Sequence, residues 1–342
     1  MATLTWLEAG VIGIVQGVSE LFPVSSLGHS VIIPALVGGS WARDLSVSKA
    51  ESPYLAFIVG LHVATAIALL VFFRRDWVRV IGGFVTSVRE RRVRTADQRL
   101  AWFVVLGTIP VGLVGLLAEH PIRVVLGRPV PAAIFLVLNG VVLYGAERLR
   151  RRTPRPVAGS DGAGAPGLAG NALADAAAAR NAGDSAGNSG SAGSAGGSAA
   201  GGDVAAIASD HRLARMPMVR AILIAGAQIL ALAPGISRSG VTMVAGMARG
   251  LSHEDAARYS FLLATPVILA AGVLKLPDLF GPLGAGIRPQ VLFGSLLSGL
   301  GAYVSVRFLV RWFTTRTLTP FAVYCVAAGA LSLVVFAVRG VS

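Results

Sequence analysis

The sequence predicts an all-α integral membrane protein: six transmembrane helices plus two re-entrant helix hairpins, arranged as an inverted-topology repeat. Three observations carry this. The chain is 54% hydrophobic and only 14% charged, with mean hydropathy +0.70, too apolar for a water-soluble protein of its length. Several windows reach the roughly 20 apolar residues needed to cross a hydrocarbon core of about 30 Å. Finally, two similar polar stretches interrupt apolar segments, one in each half: QGVSELFPVSSLGHS from Gln16 and QILALAPGISRSGVT from Gln228. Polar clusters are costly inside a bilayer and mark a site by default, and their repetition points to a duplication that meets at that site.

The first repeat is expected over residues 1–149. Its hairpin, 4–40, begins with an apolar run that meets Pro23 too early to have crossed. A second short apolar stretch, 27–37, then leads into polar sequence. Irregular backbone of this kind is tolerated at depth only under cover of protein or in a wet cavity. Residues 54–73 form a clean span ending at Arg74 and Arg75, and the Arg-rich segment that follows marks the inner side. Spans at 100–117, with a bend expected at Pro110, and at 130–146 complete the repeat. Residues 150–213 are largely Ala, Gly and Ser, with little to bury, and are expected to form a disordered cytoplasmic linker. The second repeat, 214–342, has a hairpin at 218–251 broken at Pro234-Gly235, then spans at 256–276, 291–308 and 318–338. One hairpin and three spans per half give an odd number of crossings. The second half therefore enters from the opposite side, and the hairpins meet near the midplane.

The net charge of +13 comes from 30 basic and 17 acidic residues. The arginines cluster between apolar segments, which fits membrane topology and anionic headgroups and not nucleic acid. A single cysteine, Cys325, excludes an intramolecular disulfide. The first apolar run lacks a basic leader and runs straight into the polar cluster, unlike a cleavable signal.

The polar stretches combine groups suited to phosphate chemistry. Gln16 and Glu20, four apart, share a helix face. Ser25 and Ser26 follow Pro23 at a helix start, where unpaired N–H groups and the dipole attract anions. Ser26 and His29 are three apart, the minimum for a hydroxyl activated by an imidazole; alternatively the imidazole itself attacks. In the second stretch Gly235 opens a turn, Ser237, Ser239 and Thr242 add hydroxyls, and Arg238 supplies a forked cation suited to phosphate oxygens. Plainer readings stand beside these. The hydroxyls can bond to carbonyls of their own helices, and Glu20 with Arg238 can be a purely structural ion pair. His62 reads as a packing or hydrogen-bonded histidine, His253 as solvated, and Arg258 as a side chain that snorkels.

The stretches QGVSELFPVSSLGH and PGISRSGVT resemble the two signature motifs of the bacterial undecaprenyl-diphosphate phosphatase family, also called bacitracin-resistance proteins. The match rests on Gln16, Glu20, Pro23, Ser25, Ser26, Gly28 and His29, then Pro234, Gly235, Ser237, Arg238, Ser239 and Thr242. SFLLATPVILAAG, from Ser260, is also similar to family sequence, and only the Ala/Gly/Ser linker looks inserted. The resemblance implies a multi-pass enzyme of the bacterial plasma membrane whose site opens to the outer face. Its substrate would be a C55 polyprenyl diphosphate, cleaved to the monophosphate and inorganic phosphate. Ser26, with His29 as base, or His29 itself would attack phosphorus. Arg238, Ser237, Ser239, Thr242, Ser25, Gly235 and Gln16 would hold the diphosphate. Glu20 would orient His29 or help bind Mg2+ or Ca2+. Gln16 stands where many members carry Glu, so a metal site built on two first-motif carboxylates lacks one here. The implied partners are the lipid and the bilayer, with a homodimer among the assemblies allowed. A transporter or flippase of the same inverted-repeat plan is the rival reading. The Ser26–His29 pair argues against it, since a carrier needs no nucleophile.

Overall fold

The computed structural model describes residues 4–45, 53–152, 196–281 and 284–341, and these are helical with short connections. The chain begins with α1 (Trp6–Ser19), α2 (Ser26–Val37) and the short α3 (Gly39–Asp44). Next come α4 (Pro53–Phe72), α5 (Arg74–Glu90), α6 (Ala96–Leu126) and α7 (Pro129–Arg152). After α8 (Gly196–Ala214), α9 (Met218–Gly226) tightens into a 3-10 turn over Ala227–Leu232, and α10 (Arg238–Met247) follows. The last helices are α11 (His253–Phe280), α12 (Arg288–Thr315) and α13 (Thr319–Arg339). Six of these helices are long and apolar enough to cross a membrane: α4, α6, α7, α11, α12 and α13. They fall on the six expected spans. By contrast α1, with 14 residues, extends only about 21 Å, short of the roughly 30 Å a crossing needs.

Side-chain caps set several of the helix starts. Thr5 Oγ1 accepts the Glu8 N–H at 3.2 Å while Glu8 Oε2 accepts the Thr5 N–H at 2.8 Å, a reciprocal cap that starts α1. Ser237 caps α10 by accepting the Gly240 N–H at 3.2 Å, and Ser252 caps α11 through the Asp255 N–H at 3.0 Å.

The main unit comprises residues 1–151 with 208–342; a small second unit, residues 152–207, includes the start of α8. In the main unit α1 lies along α12, α12 along α4, and α4 along α11, so first-half and second-half helices alternate. The approach of α1 to α12 is backbone to backbone: a methyl on Gly17 would sit 2.2 Å from the Ser298 carbonyl oxygen. One core joins Ile12, Leu21, Phe57, Leu61, Phe261, Val306, Phe313 and Phe336; a second gathers Leu100, Phe103, Leu213, Ile224, Tyr259 and Leu262.

Several expectations change. The Arg-rich segment after α4, read from the sequence only as a marker of the inner side, forms helix α5, which buries Val80, Gly83 and Ser87 along one side. Helix α6 carries Pro110 and Pro121 within it and extends past the expected 100–117 at both ends. Part of the expected linker lies outside the described residues. Of the rest, Gly196–Ala214 is helical, and its end is anchored in the main unit: Ser209, Asp210 and Leu213 are buried. The anchor is ionic. Asp210 accepts Arg258 Nε at 2.7 Å and Arg79 Nη2 at 2.7 Å, while Arg212 forks onto Asp255 at 2.9 and 2.7 Å. Arg258 therefore does not snorkel; it is buried between Asp210 and Asp76, the latter at 2.8 Å. His253 is not solvated either, because it pairs with Glu147 and Arg150.

Candidate active site

The helix breaks bring the two polar stretches together. At the first, Glu20 ends α1 with its N–H on the Gln16 carbonyl at 2.9 Å. The chain then turns through Ser25, which adopts a left-handed φ of 68° and caps α2. Ser25 Oγ accepts the Gly28 N–H at 3.2 Å and, from the second stretch, the Gly235 N–H at 3.1 Å. The backbones touch here. A methyl on Gly28 would lie 2.9 Å from Gly235 Cα, and one on Gly235 would lie 2.3 Å from the Ala132 carbonyl oxygen on α7.

Glu20 is the hub. Its Oε2 accepts Gln16 Nε2 at 2.7 Å and Ser26 Oγ at 2.5 Å, and its Oε1 accepts Arg238 Nη2. The Glu20 side chain is 2% exposed, and a buried carboxylate persists only when paired and hydrogen-bonded in this way. Arg238 keeps a partly exposed side chain. With five N–H donors in its fork, it has some left for another anion. Ser239 Oγ lies 3.1 Å from Ser237 Oγ. Thr242 Oγ1 donates to the Arg238 carbonyl at 2.8 Å, the plainer of its two expected roles.

Gln16, Glu20, Ser26 and Arg238 are thus in one hydrogen-bonded cluster, with Ser25 and Gly235 bonded beside it. The expected Ser26–His29 contact is not among the hydrogen bonds of the described residues. His29 Nδ1 lies 2.7 Å from the Ser25 carbonyl, and because a carbonyl can only accept, Nδ1 carries a proton. Its Nε2 faces the Tyr324 hydroxyl at 2.7 Å, with the two rings stacked 5.7 Å apart at 8°. Tyr324 was not anticipated, because nothing in the sequence of α13 distinguishes a tyrosine at a site from one in lipid. His62 was underrated. It projects from α4 to 3.4 Å from Glu20 Oε2 and 3.3 Å from Gln16 Nε2. A histidine in the middle of an otherwise apolar span was the available signal.

The fold and site define a multi-pass, all-helical membrane protein with a buried acid–hydroxyl–guanidinium centre built from two helix breaks. Residues 9–168 and 194–331 match the family model described as bacitracin resistance protein BacA, and the chain belongs to that family. It is 60% identical over 338 residues to proteins named undecaprenyl-diphosphatase from Mycolicibacterium paratuberculosis and Mycobacterium avium, covering 99% of both chains in each case. It is also 55% identical over 376 residues to undecaprenyl-diphosphatase 1 of Frankia casuarinae, covering 99% of this chain and all of that one.

Proposed function

We propose that this protein hydrolyses undecaprenyl diphosphate to the monophosphate and inorganic phosphate, the reaction that the names of its relatives describe. One observation carries the reading at the level of atoms: Glu20 is shared by Ser26 Oγ and Arg238. The reading is supported by a carboxylate 2.5 Å from a hydroxyl whose proton it can accept, and by a guanidinium on the same carboxylate, a group suited to stabilising phosphate charge.

In this mechanism Ser26 Oγ attacks the terminal phosphorus and its proton passes to Glu20. The bond from phosphorus to the bridging oxygen breaks, and polyprenyl phosphate leaves with that electron pair. Water then attacks the phosphoserine. The Ser26 oxygen departs, recovering the proton from Glu20, and inorganic phosphate is released. Arg238, the hydroxyls of Ser237 and Ser239 and the N-terminal amides of α10 hold the phosphates. His29, fixed between the Ser25 carbonyl and Tyr324, braces the first turn of α2, which carries Ser26.

The donor set also suits a hard cation shared with substrate. Gln16 Oε1 is buried without a hydrogen-bond partner, near the Glu20 carboxylate that the Gln16 amide nitrogen contacts. One carboxylate, an amide oxygen and substrate phosphates are donors that Mg2+ or Ca2+ accepts. Such an ion, held by Gln16 and Glu20, would neutralise charge on the diphosphate.

We read α1 with α2, and α9 with α10, as re-entrant pairs related by inverted topology in the bacterial plasma membrane. The site then faces outward and the Arg-rich connections face inward. The lengths of α1 and α2, 14 and 12 residues, support this, as does the positive-inside pattern. The test is release of inorganic phosphate from undecaprenyl diphosphate by the purified protein in detergent. Glu20→Gln, which keeps the shape but cannot take a proton, should lower turnover by about a hundredfold or more. A wild-type protein that releases no phosphate overturns the reading.

A further inference from the structure

Between the two breaks stands a residue with no part in the chemistry described so far. Asn139 projects from α7, a spanning helix outside both polar stretches, and is 1% exposed. Its Nδ2 donates to the Pro23 carbonyl at 3.0 Å and approaches Cys325 Sγ at 3.4 Å. Its Oδ1 accepts the Ser237 N–H at 3.0 Å. The amide orientation is unambiguous: a backbone N–H only donates, so the atom facing Ser237 is the oxygen, and the nitrogen then meets a carbonyl that only accepts. Pro23 lies three residues after Glu20 and three before Ser26. Ser237 immediately precedes Arg238 and caps α10.

We propose that Asn139 is a positioning residue for the phosphoryl-transfer step, setting the register of the Ser26 loop against the Arg238 loop. This rests on the phosphatase reading above. The chemistry of the side chain restricts the role. Of residues this size, only an amide offers a donor at one end and an acceptor at the other; Asp cannot donate to the Pro23 carbonyl, and Leu does neither. The loops also touch directly through Gly235 and Ser25, but that contact joins them to each other. Asn139 references both to a rigid spanning helix, against which Gly235 is already pressed. In-line attack requires the nucleophile and the phosphate clamp in register, and an error of about 1 Å costs on the order of a hundredfold. Ground-state binding of a flexible diphosphate is more tolerant.

The experiment measures kcat and KM for undecaprenyl diphosphate hydrolysis by wild type, Asn139→Leu and the smaller Asn139→Ser. Thermal unfolding in detergent is followed on the same samples. The expected result is a fall in kcat of about 10- to 100-fold, with KM within about threefold and the folded fraction unchanged at the assay temperature. The proposal is overturned if kcat stays within about twofold of wild type in a folded variant. It is equally overturned if KM rises at constant kcat, or if the loss follows the folded fraction. A second reading needs no activity: the distance distribution between spin labels at Val18 and Leu230, both exposed. It should broaden or shift in both variants, and an unchanged distribution overturns the proposal. Inactive wild type would instead defeat the phosphatase reading, leaving the loop-register claim to be decided by the spin labels.

Discussion

The break between α1 and α2 turns on a serine, Ser25 with φ 68°, whereas the break before α10 turns on Gly235 with φ 105°. A left-handed conformation costs a non-glycine residue on the order of 1–3 kcal/mol, so the first break is the strained one. Its compensation is visible: Ser25 Oγ collects two backbone N–H groups, one of them from Gly235. Glycine could not supply that oxygen. At the second break the demand is reversed, because a Cβ would collide with the α7 backbone. One break spends conformational energy to gain a hydroxyl, and the other gives up a side chain to gain proximity. The residues around them differ as well: the first carries a carboxylate, two hydroxyls and an imidazole, the second a guanidinium and the amides at the start of α10.

This contrast can be broken at several points. Removing the cation should have the largest effect: Arg238→Ala is expected to lose about a thousandfold or more in phosphate release per folded molecule, and also to lower the unfolding temperature, because buried Glu20 loses its counter-ion. Turnover near wild type would mean the second break does not grip phosphate. On the other side, Ser26→Ala should lower turnover by no more than the Arg238 variant does and abolish any acid-quenched covalent phosphate. His29→Ala should slow turnover yet still trap labelled phosphate, and loss of that label in His29→Ala would transfer the nucleophile to the imidazole. Gly235→Ala should follow, lowering the unfolding temperature and activity together, since overpacking typically costs about 1–3 kcal/mol and a left-handed φ adds to it. Tyr324→Phe removes one hydroxyl from His29 and should cost about three- to tenfold in kcat, consistent with a single hydrogen bond of roughly 1 kcal/mol. Smallest of all, deleting residues 160–190 should leave activity within a few-fold, because every residue of the site lies elsewhere.

Much of this was legible in the sequence because hydrocarbon makes polarity conspicuous. The six spans follow from hydropathy, and Glu20, Ser26 and Arg238 stand out as polar residues at the only two interruptions of that kind. What was not legible is pairing across elements. Ser26 was matched to His29 by helical spacing, but the turn at Ser25 places its hydroxyl on Glu20, six residues back. Tyr324 lies 295 residues from the histidine it touches, a distance that no local pattern encodes. Arg258 read as a snorkelling side chain and Asp210 fell within the expected linker, and only the three-dimensional approach of α5, α8 and α11 reveals that they are buried together. Helix α5 was hidden by its arginines, which obscured the apolar spacing beneath.

The interleaving of α1 and α4 with α12 and α11 has a consequence for biogenesis. Glu20 leaves the ribosome 218 residues ahead of its guanidinium partner, about 10–40 s at roughly 5–20 residues per second. For that interval the nascent first half holds a carboxylate without its counter-ion, on a helix whose glycine face has nothing yet to press against. The native ion pair and the packing of α1 on α12 can therefore form only after the second half has been made.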